Sequence, residues 1–242
     1  MTAGLGVDAS AEEGAAGETG AAPLAVPVKV HDRPAFIRAN SVLTAPSHVP
    51  ELVLHLADEA LPLWHKTEEE LGEAGLPPPF WAFAWAGGQA LARHVFDNPD
   101  LVAGKRVLDV GAGGGIAGIA AAMCGAAHVR ANEIDAFALA AIALNAEANG
   151  VAVEVIGGDR LGGPAEADVV LAGDIFYERP LAERALAFLQ RAKADGALVL
   201  IGDPKRTYLP TDVLEIAATY EVPVPRTLED SDVKKTRVWR LV

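Results

Sequence analysis

Apolar positions along the chain change their period at regular intervals, and that change sets out the predicted elements. Residues 106–110 (Arg-Val-Leu-Asp-Val) form a short apolar run that predicts a strand at the centre of a sheet. A helix over 116–124 follows, then strand 128–134 and an Ala-rich helix over 136–149 that stops at Asn149-Gly150. Strands at 153–156, 167–172 and 197–201 come next, with a helix over 181–194 before the last of them. A helix near 212–219 and two strands, near 220–227 and 236–242, complete the pattern. Strands separated by helices of this length predict a mainly parallel sheet covered on both faces, and the last two strands predict an antiparallel hairpin.

Upstream, the pattern is less regular. Phe36-Ile37-Arg38 reads as a short strand, and residues 50–57 read as a first helix with Pro50 near its start. Pro77-Pro78-Pro79 predicts an extended segment leading into Phe80-Trp81-Ala82-Phe83-Ala84-Trp85, after which a helix runs from beyond Gly87-Gly88 to about Phe96. Trp81 is expected in the core. Residues 1–26 are rich in Ala and Gly, carry Asp8, Glu12, Glu13 and Glu18 without a basic residue, and show no apolar period, so they read as an acidic disordered tail. Residues 27–242 are expected to be one domain, with an N-terminal leader over 27–85 and a cofactor-binding core over 86–242.

Composition narrows the function classes. A chain of 242 residues, 51% hydrophobic, is large enough to bury a substantial core. The longest apolar run, residues 116–127, falls short of the ~18 residues that a membrane span needs. A formal charge of −13 argues against wrapping a nucleic-acid backbone. The single cysteine, Cys124, excludes an internal disulfide and fits a reducing, cytoplasmic setting. The start of the chain has neither the basic and apolar segments of a secretory signal nor the arginines of a transit peptide, so the protein is expected to stay where it is made. The six histidines show no metal-ligand spacing, and no metal is expected.

The segment with the most chemistry is Asp109-Val110-Gly111-Ala112-Gly113-Gly114-Gly115, a glycine-rich turn between a strand and a helix. Such a turn lets backbone approach a ligand, and the helix that follows offers N–H groups to an anionic end. Residues 113–118 satisfy the GxGxxG spacing of dinucleotide sites, but the first glycine lies too far beyond the strand for that fingerprint. The register Asp109-x-Gly111-x-Gly113-x-Gly115 instead resembles motif I of class I methyltransferases. Glu133, at the end of the next strand, is placed to accept both ribose hydroxyls of an adenosine ligand. Asp159 is placed to accept from an adenine amino group, and Trp85 to wall the adenine or the methionine chain. With the hairpin, these features resemble an α/β, seven-stranded, Rossmann-like class I methyltransferase fold, with S-adenosyl-L-methionine as the implied cofactor.

After the fourth core strand comes Gly173-Asp174-Ile175-Phe176-Tyr177-Glu178. Its Asp-x-x-Tyr resembles the corresponding motif of lysine methyltransferases built on this fold. Residues 80–93 resemble the opening helix of the electron-transfer-flavoprotein β-subunit lysine methyltransferases, as do Ala131-Asn132-Glu133-Ile134-Asp135, residues 173–177 and Leu200-Ile201-Gly202-Asp203-Pro204 in their places. The likeness runs from about Phe36 to the C-terminus. Ala86 stands where that family typically has Pro, and Glu133 where Asp is common. The resemblance implies a protein substrate, the flavoprotein's β subunit, and an enzyme that must admit a folded protein is expected to be a monomer. In the implied chemistry a lysine amine, pKa about 10.4, must lose its proton, at a cost of about 4 to 5 kcal/mol at pH 7. Asp174 would accept from the incoming nitrogen and also contact the cofactor, with Tyr177 lining the lysine channel. The remaining readings are an N-methyltransferase of another protein or a small amine, an NAD-dependent oxidoreductase, and a cofactor-binding regulatory protein without activity.

Overall fold

The computed structural model describes residues 32–57, 79–224 and 232–242; the expected acidic tail lies outside the described residues. Seven strands form the main sheet: β3 (Arg106–Val110), β4 (His128–Glu133), β5 (Glu154–Gly157), β6 (Val169–Gly173), β7 (Leu198–Asp203), β8 (Leu214–Pro223) and β9 (Val233–Leu241). Their order is β5-β4-β3-β6-β7-β9-β8, parallel through β7 and antiparallel for the closing pair. This is the expected mainly parallel sheet with a C-terminal hairpin. The chain winds outward from β3 in one direction and from β6 in the other, so the carboxyl ends of β3 and β6 flank a topological switch point, where open α/β sheets hold ligands.

Both faces of the central strands β3, β6 and β7 are buried, and their residues alternate between two cores. Val107, Val169 and Leu171 join Leu91, Val95 and Ile119 on one face. Leu108, Val170 and Ala172 join Phe188 and Leu189 on the other. That is the period-two partition of a doubly covered strand. The covering helices are α2 (Ala86–Asp97), α3 (Ile116–Met123), α4 (Ala136–Ala148) and α5 (Arg179–Ala194). Helix α2 packs across β7, β9 and α3. Trp81 is in the core, as expected, against Phe137 and Leu144 of α4. No helix among the described residues is long and apolar enough to cross a membrane.

The leader and the region before β9 depart from the sequence pattern. Residues 36–38, expected as a strand, lie in the helix α1 (Arg33–Ala39). Asp32 caps it by accepting from Ala35 N–H at 2.9 Å, and a proline stands in its first turn. Residues 50–57, expected as a helix, contain a turn and strand β2 (Leu54–Leu56), which pairs antiparallel with β1 (Val42–Thr44). Helix α4 imposes the extended form. Asn149 accepts Val53 N–H at 2.9 Å and donates to its carbonyl at 2.6 Å, while Asn145 accepts His55 N–H at 2.7 Å. The expected helix at 212–219 is a short 3₁₀ turn, Thr211–Val213, running into β8, because pairing with β9 overrides the helical propensity of the Leu-Glu-Ile-Ala-Ala run. Helix α2 begins at Ala86, so Gly87 and Gly88 lie inside its first turn rather than before it.

Candidate active site

Four strand ends, those of β3, β4, β6 and β7, come together on one side of the sheet, and each carries a carboxylate at or just after its end: Asp109, Glu133, Asp174 and Asp203. Beyond β3 the chain reverses through Gly111, Gly113 and Gly115, whose φ angles of 65°, 55° and 85° place all three in the left-handed region that favours glycine. A Cβ at Gly113 would meet nothing within 4 Å, so that side of the turn is open, whereas one at Gly114 would press to 2.9 Å from the Trp81 carbonyl. The Asn132 carbonyl holds the start of the turn, accepting from Gly111 N–H at 3.0 Å and Ala112 N–H at 3.1 Å. Asn145 Nδ2 holds its far side, donating to the Gly114 carbonyl at 2.8 Å.

Asp109 lies beneath this turn rather than in the open cleft. Its Oδ2 accepts the N–H of Gly118 at 2.8 Å, capping the first turn of α3 from the neighbouring strand. Burial raises its carboxyl to about 7, against the lowering effect of the Gly118 bond. Glu133 reaches the turn directly. Its Oε1 accepts from Gly113 N–H at 3.1 Å, and its Oε2 from the amides of Ile134 at 2.7 Å and Asp135 at 3.3 Å. Burial raises its pKa despite these three bonds. The turn and Glu133, separated in sequence, therefore meet.

Asp159 follows β5 but is turned outward: it pairs with Arg184 of α5 and accepts Leu161 N–H at 3.0 Å, and the Arg184 bond lowers its pKa. The structure does not bring its carboxylate onto Glu133 or the glycine turn. The backbone of the same loop does return there, since Gly158 N–H donates to the Glu133 carbonyl at 3.0 Å. Asn132 adds a second tie through its side chain, which donates at 2.9 Å to the carbonyls of Ile156 and Gly158.

Across the cleft, Asp174 ends β6 with a φ of 54°, a conformation non-glycine residues seldom adopt. Its Oδ2 accepts from Gly88 N–H at 3.0 Å, and its Oδ1 from Arg206 Nε at 3.0 Å and from a terminal guanidinium nitrogen at 2.8 Å. Burial raises its pKa, and the Arg206 charge opposes that rise. The guanidinium also lies over the Trp85 ring, 5.5 Å from its centroid. Trp85 sits at the N-cap of α2 and donates from Nε1 to the Phe80 carbonyl at 3.0 Å. Phe80 stands 6.0 Å from both Trp85 and Tyr177, centroid to centroid, and Phe80 and Tyr177 are each over two-fifths exposed as residues. The result is an aromatic rim beside a carboxylate.

Four further residues shape this side, and of these only Arg206 does not stand out in the sequence. Asp203 is fully buried and accepts Arg206 N–H at 2.6 Å; burial raises its carboxyl to about 7, with the Asp174 charge adding to the effect. Gly87 and Gly202 let α2 and β7 touch backbone to backbone. Arg206 gave no signal beyond a charge in a loop, while the Gly87-Gly88 pair at a helix start could have been read as a close crossing. Among the described residues, no cluster of three or more His, Cys, Asp or Glu is placed to hold a metal ion.

This arrangement matches known proteins at two levels. Residues 94–202 match the family described as ribosomal protein L11 methyltransferase (PrmA). The chain is 36% identical over 219 residues to the electron transfer flavoprotein beta subunit lysine methyltransferase of Rattus norvegicus, covering 85% of this chain and 82% of that one. It is 41% identical over 178 residues to the enzyme of the same description from Xenopus laevis, covering 71% and 70%. Among solved structures, one described as "Conversion of a Disulfide Bond into a Thioacetal Group during Echinomycin Biosynthesis" superposes with a TM-score of 0.50 at 17% identity, over 67% of this chain and 87% of that one, a likeness of fold.

Proposed function

The chain belongs to the electron transfer flavoprotein beta subunit lysine methyltransferase family, and from that membership we propose that its protein substrate is the β subunit of an electron transfer flavoprotein. The protein is an S-adenosylmethionine-dependent protein-lysine N-methyltransferase with the seven-stranded class I fold. The observation that supports the site assignment is the contact between Gly113 N–H and Glu133 Oε1, which brings together, beside the sheet's switch point, the two segments that would form the adenosyl site.

The residues present fit the cofactor. The open side of Gly113 admits a ligand against the turn, and the Glu133 carboxylate has the acceptor chemistry that ribose hydroxyls require. Gly111, Gly113 and Gly115 would hold the methionine end through backbone, with Trp85 as a wall. Asp109 would serve by fixing the turn from below, because its carboxylate is spent on α3. A part for Asp159 at the adenine amino group would require its bond with Arg184 to open. S-adenosylmethionine, when bound, supplies an activated methyl group on a sulfonium.

Asp174 would orient the substrate amine from the opposite side of the cleft. Its backbone is tied to Gly202 and its Oδ2 to Gly88, so its position is fixed before substrate arrives. Tyr177 and Phe80 would flank the aliphatic part of the lysine, since methylenes pack favourably on exposed rings. The ammonium proton would leave to water, and Asp174 need only align the nitrogen. Residues 27–242 are proposed to act as one domain, as a monomer, in the reducing setting of the cytoplasm.

The test is to incubate purified protein with labelled S-adenosylmethionine and intact electron transfer flavoprotein, then map the label by mass spectrometry. Methyl-lysine on the β subunit is expected. Label on a ribosomal protein in a cell extract, with the flavoprotein untouched, would move the substrate to the alternative that the match over residues 94–202 favours. An absence of S-adenosylmethionine binding by calorimetry would remove the enzymatic reading.

A further inference from the structure

We propose that Arg206 is a positioning residue of methyl transfer, whose guanidinium balances the charge of Asp174 so that the site receives the substrate lysine as a neutral amine. This rests on the role given above to Asp174.

The geometry is a clamp. Two guanidinium nitrogens reach Asp174 Oδ1, at 3.0 and 2.8 Å, while the opposite carboxylate oxygen is held by Gly88 N–H at 3.0 Å. The guanidinium rests on the Trp85 ring, and its own backbone amide is anchored at 2.6 Å on the buried Asp203. Arg206 is thus fixed from three elements: the end of β6, the end of β7 and the N-cap of α2. An adventitious surface pair has no such supports.

The chemistry makes that charge useful. A lone carboxylate facing a lysine holds it as ammonium, because a nearby opposite charge favours the charged form. Ammonium has no lone pair and cannot attack a methyl group. A carboxylate paired with a guanidinium presents a net charge near zero, so it can align the amine without drawing a proton onto it. Burial also pushes Asp174 towards its neutral acid, and Arg206 works against that, which preserves the acceptor. The other titratable group whose charge couples to Asp174 is Asp203 at the end of β7, which the backbone amides of Lys205 and Arg206 also contact. From α2 come only the amides of Gly87 and Gly88. Among the described residues, Arg206 is the cation in contact with Asp174.

Both effects act in the same direction on the acid limb of the pH–rate profile. Without the guanidinium, either Asp174 stays ionised and raises the amine's pKa, or it takes up a proton and ceases to accept. The experiment compares wild type, Arg206→Gln and Arg206→Lys with intact flavoprotein from pH 6 to 9.5, alongside S-adenosylmethionine affinity by calorimetry. Arg206→Gln is expected to lower kcat at pH 7 by about tenfold or more and to move the acid limb of kcat up by about one pH unit or more. Arg206→Lys should return that limb most of the way, and cofactor affinity should stay within about threefold in all three proteins. An Arg206→Gln profile of wild-type shape, or an Arg206→Lys variant as impaired as Arg206→Gln, overturns the proposal. A second readout needs no stable glutamine variant: the Asp174 carboxyl, titrated by carbon-13 NMR in wild type and in Arg206→Lys, should respond at higher pH when the two-nitrogen contact is lost. An identical midpoint in an Arg206→Lys variant whose acid limb has nonetheless moved also overturns it. Wild-type protein that binds no S-adenosylmethionine would instead count against the methyltransferase reading, so the two failures are distinguishable.

Discussion

Asp174 Oδ2 accepts the N–H of Gly88 at 3.0 Å, so a carboxylate at the end of β6 caps the first turn of α2 from another part of the chain. Asp109 does the same for α3, accepting Gly118 N–H at 2.8 Å from β3. Each carboxylate sits where a helix carries its positive end and its unpaired amides, which offsets part of the cost of burying the charge. The two helices that open onto the cleft are therefore both fixed by acids on the strands beneath them. Cofactor turn and lysine-facing acid belong to one rigid frame.

Replacing Asp174 removes two things together. Asp174→Ala should lower methyl transfer at least about 100-fold, and loss of the trans cap should destabilise the fold by about 1–2 kcal/mol. Asp174→Asn keeps an acceptor for Gly88 and should recover most of the stability but little of the activity. Chemical denaturation and single-turnover methylation separate the two effects. S-adenosylmethionine affinity should stay within about threefold, because the cofactor turn is held by Asp109, Asn132 and Asn145. Full activity in either variant would remove Asp174 from the reaction.

Glu133 has the opposite profile. Its carboxylate bonds to charged-group strength with Gly113 and is placed for ribose hydroxyls. Glu133→Ala should weaken S-adenosylmethionine binding about 10- to 100-fold, corresponding to about 1.5–3 kcal/mol for hydrogen bonds to a charged group. At saturating cofactor, kcat should remain close to wild type. An unchanged dissociation constant by calorimetry would show that the adenosyl ligand binds elsewhere.

The sheet was legible because burial on both faces leaves continuous apolar runs in β3, β6 and β7, and the strand-turn-helix at Gly111–Gly115 carries its own glycine signal. The leader was not, because its conformation is set by partners distant in sequence. Leu52, Leu54 and Leu56 do alternate, which is the strand period, yet the helix-like run Glu51-Leu52-Val53-Leu54 competes with it until Asn145 and Asn149 take the backbone amides. Residues 212–219 failed for the same reason, since β9 was needed to make β8 extended. Within the site, the meeting of the glycine turn with Glu133 followed from strand order alone. The direction of Asp159 did not, because it depends on Arg184, a helix surface residue with no sequence link to it.

Stability should rise as the medium is acidified from pH 8 to about 5. Asp109 and Asp203 are each raised by burial from 3.8 to about 7 in the folded protein. Between those values the native state holds protons that the unfolded chain has released, so the stability these groups contribute falls as pH climbs through that window. Asp168, lowered to about 2 by its bonds with Arg106, acts in the opposite sense only below about pH 4, and His48, His55 and His94, lowered by burial, work against the two acids as pH falls below about 6.5. The denaturant midpoint should accordingly be higher at pH 5 than at pH 8. Asp109→Asn, which can still accept from Gly118, should flatten the difference; a midpoint that instead climbs with pH over this range would contradict the burial of both acids.

The crossing of α2 over β7 makes the most severe steric prediction. A Cβ on Gly87 would lie 2.1 Å from the Gly202 carbonyl oxygen and 2.6 Å from Asp174 Oδ2, and one on Gly202 would lie 2.0 Å from the Gly87 carbonyl oxygen. The obstructing atoms are largely backbone, held by a sheet and a helix, so neither can yield without moving a whole element. Gly87→Ala and Gly202→Ala should each cost about 3 kcal/mol or more and should abolish methylation even where some folded protein survives, because α2 would be lifted off Asp174. Gly162→Ala provides the control: a Cβ there meets nothing within 4 Å, and its stability should change by less than about 0.5 kcal/mol. Equal melting temperatures for Gly87→Ala and Gly162→Ala would mean that α2 does not approach β7 this closely, and the bond from Gly88 to Asp174 would be lost with it.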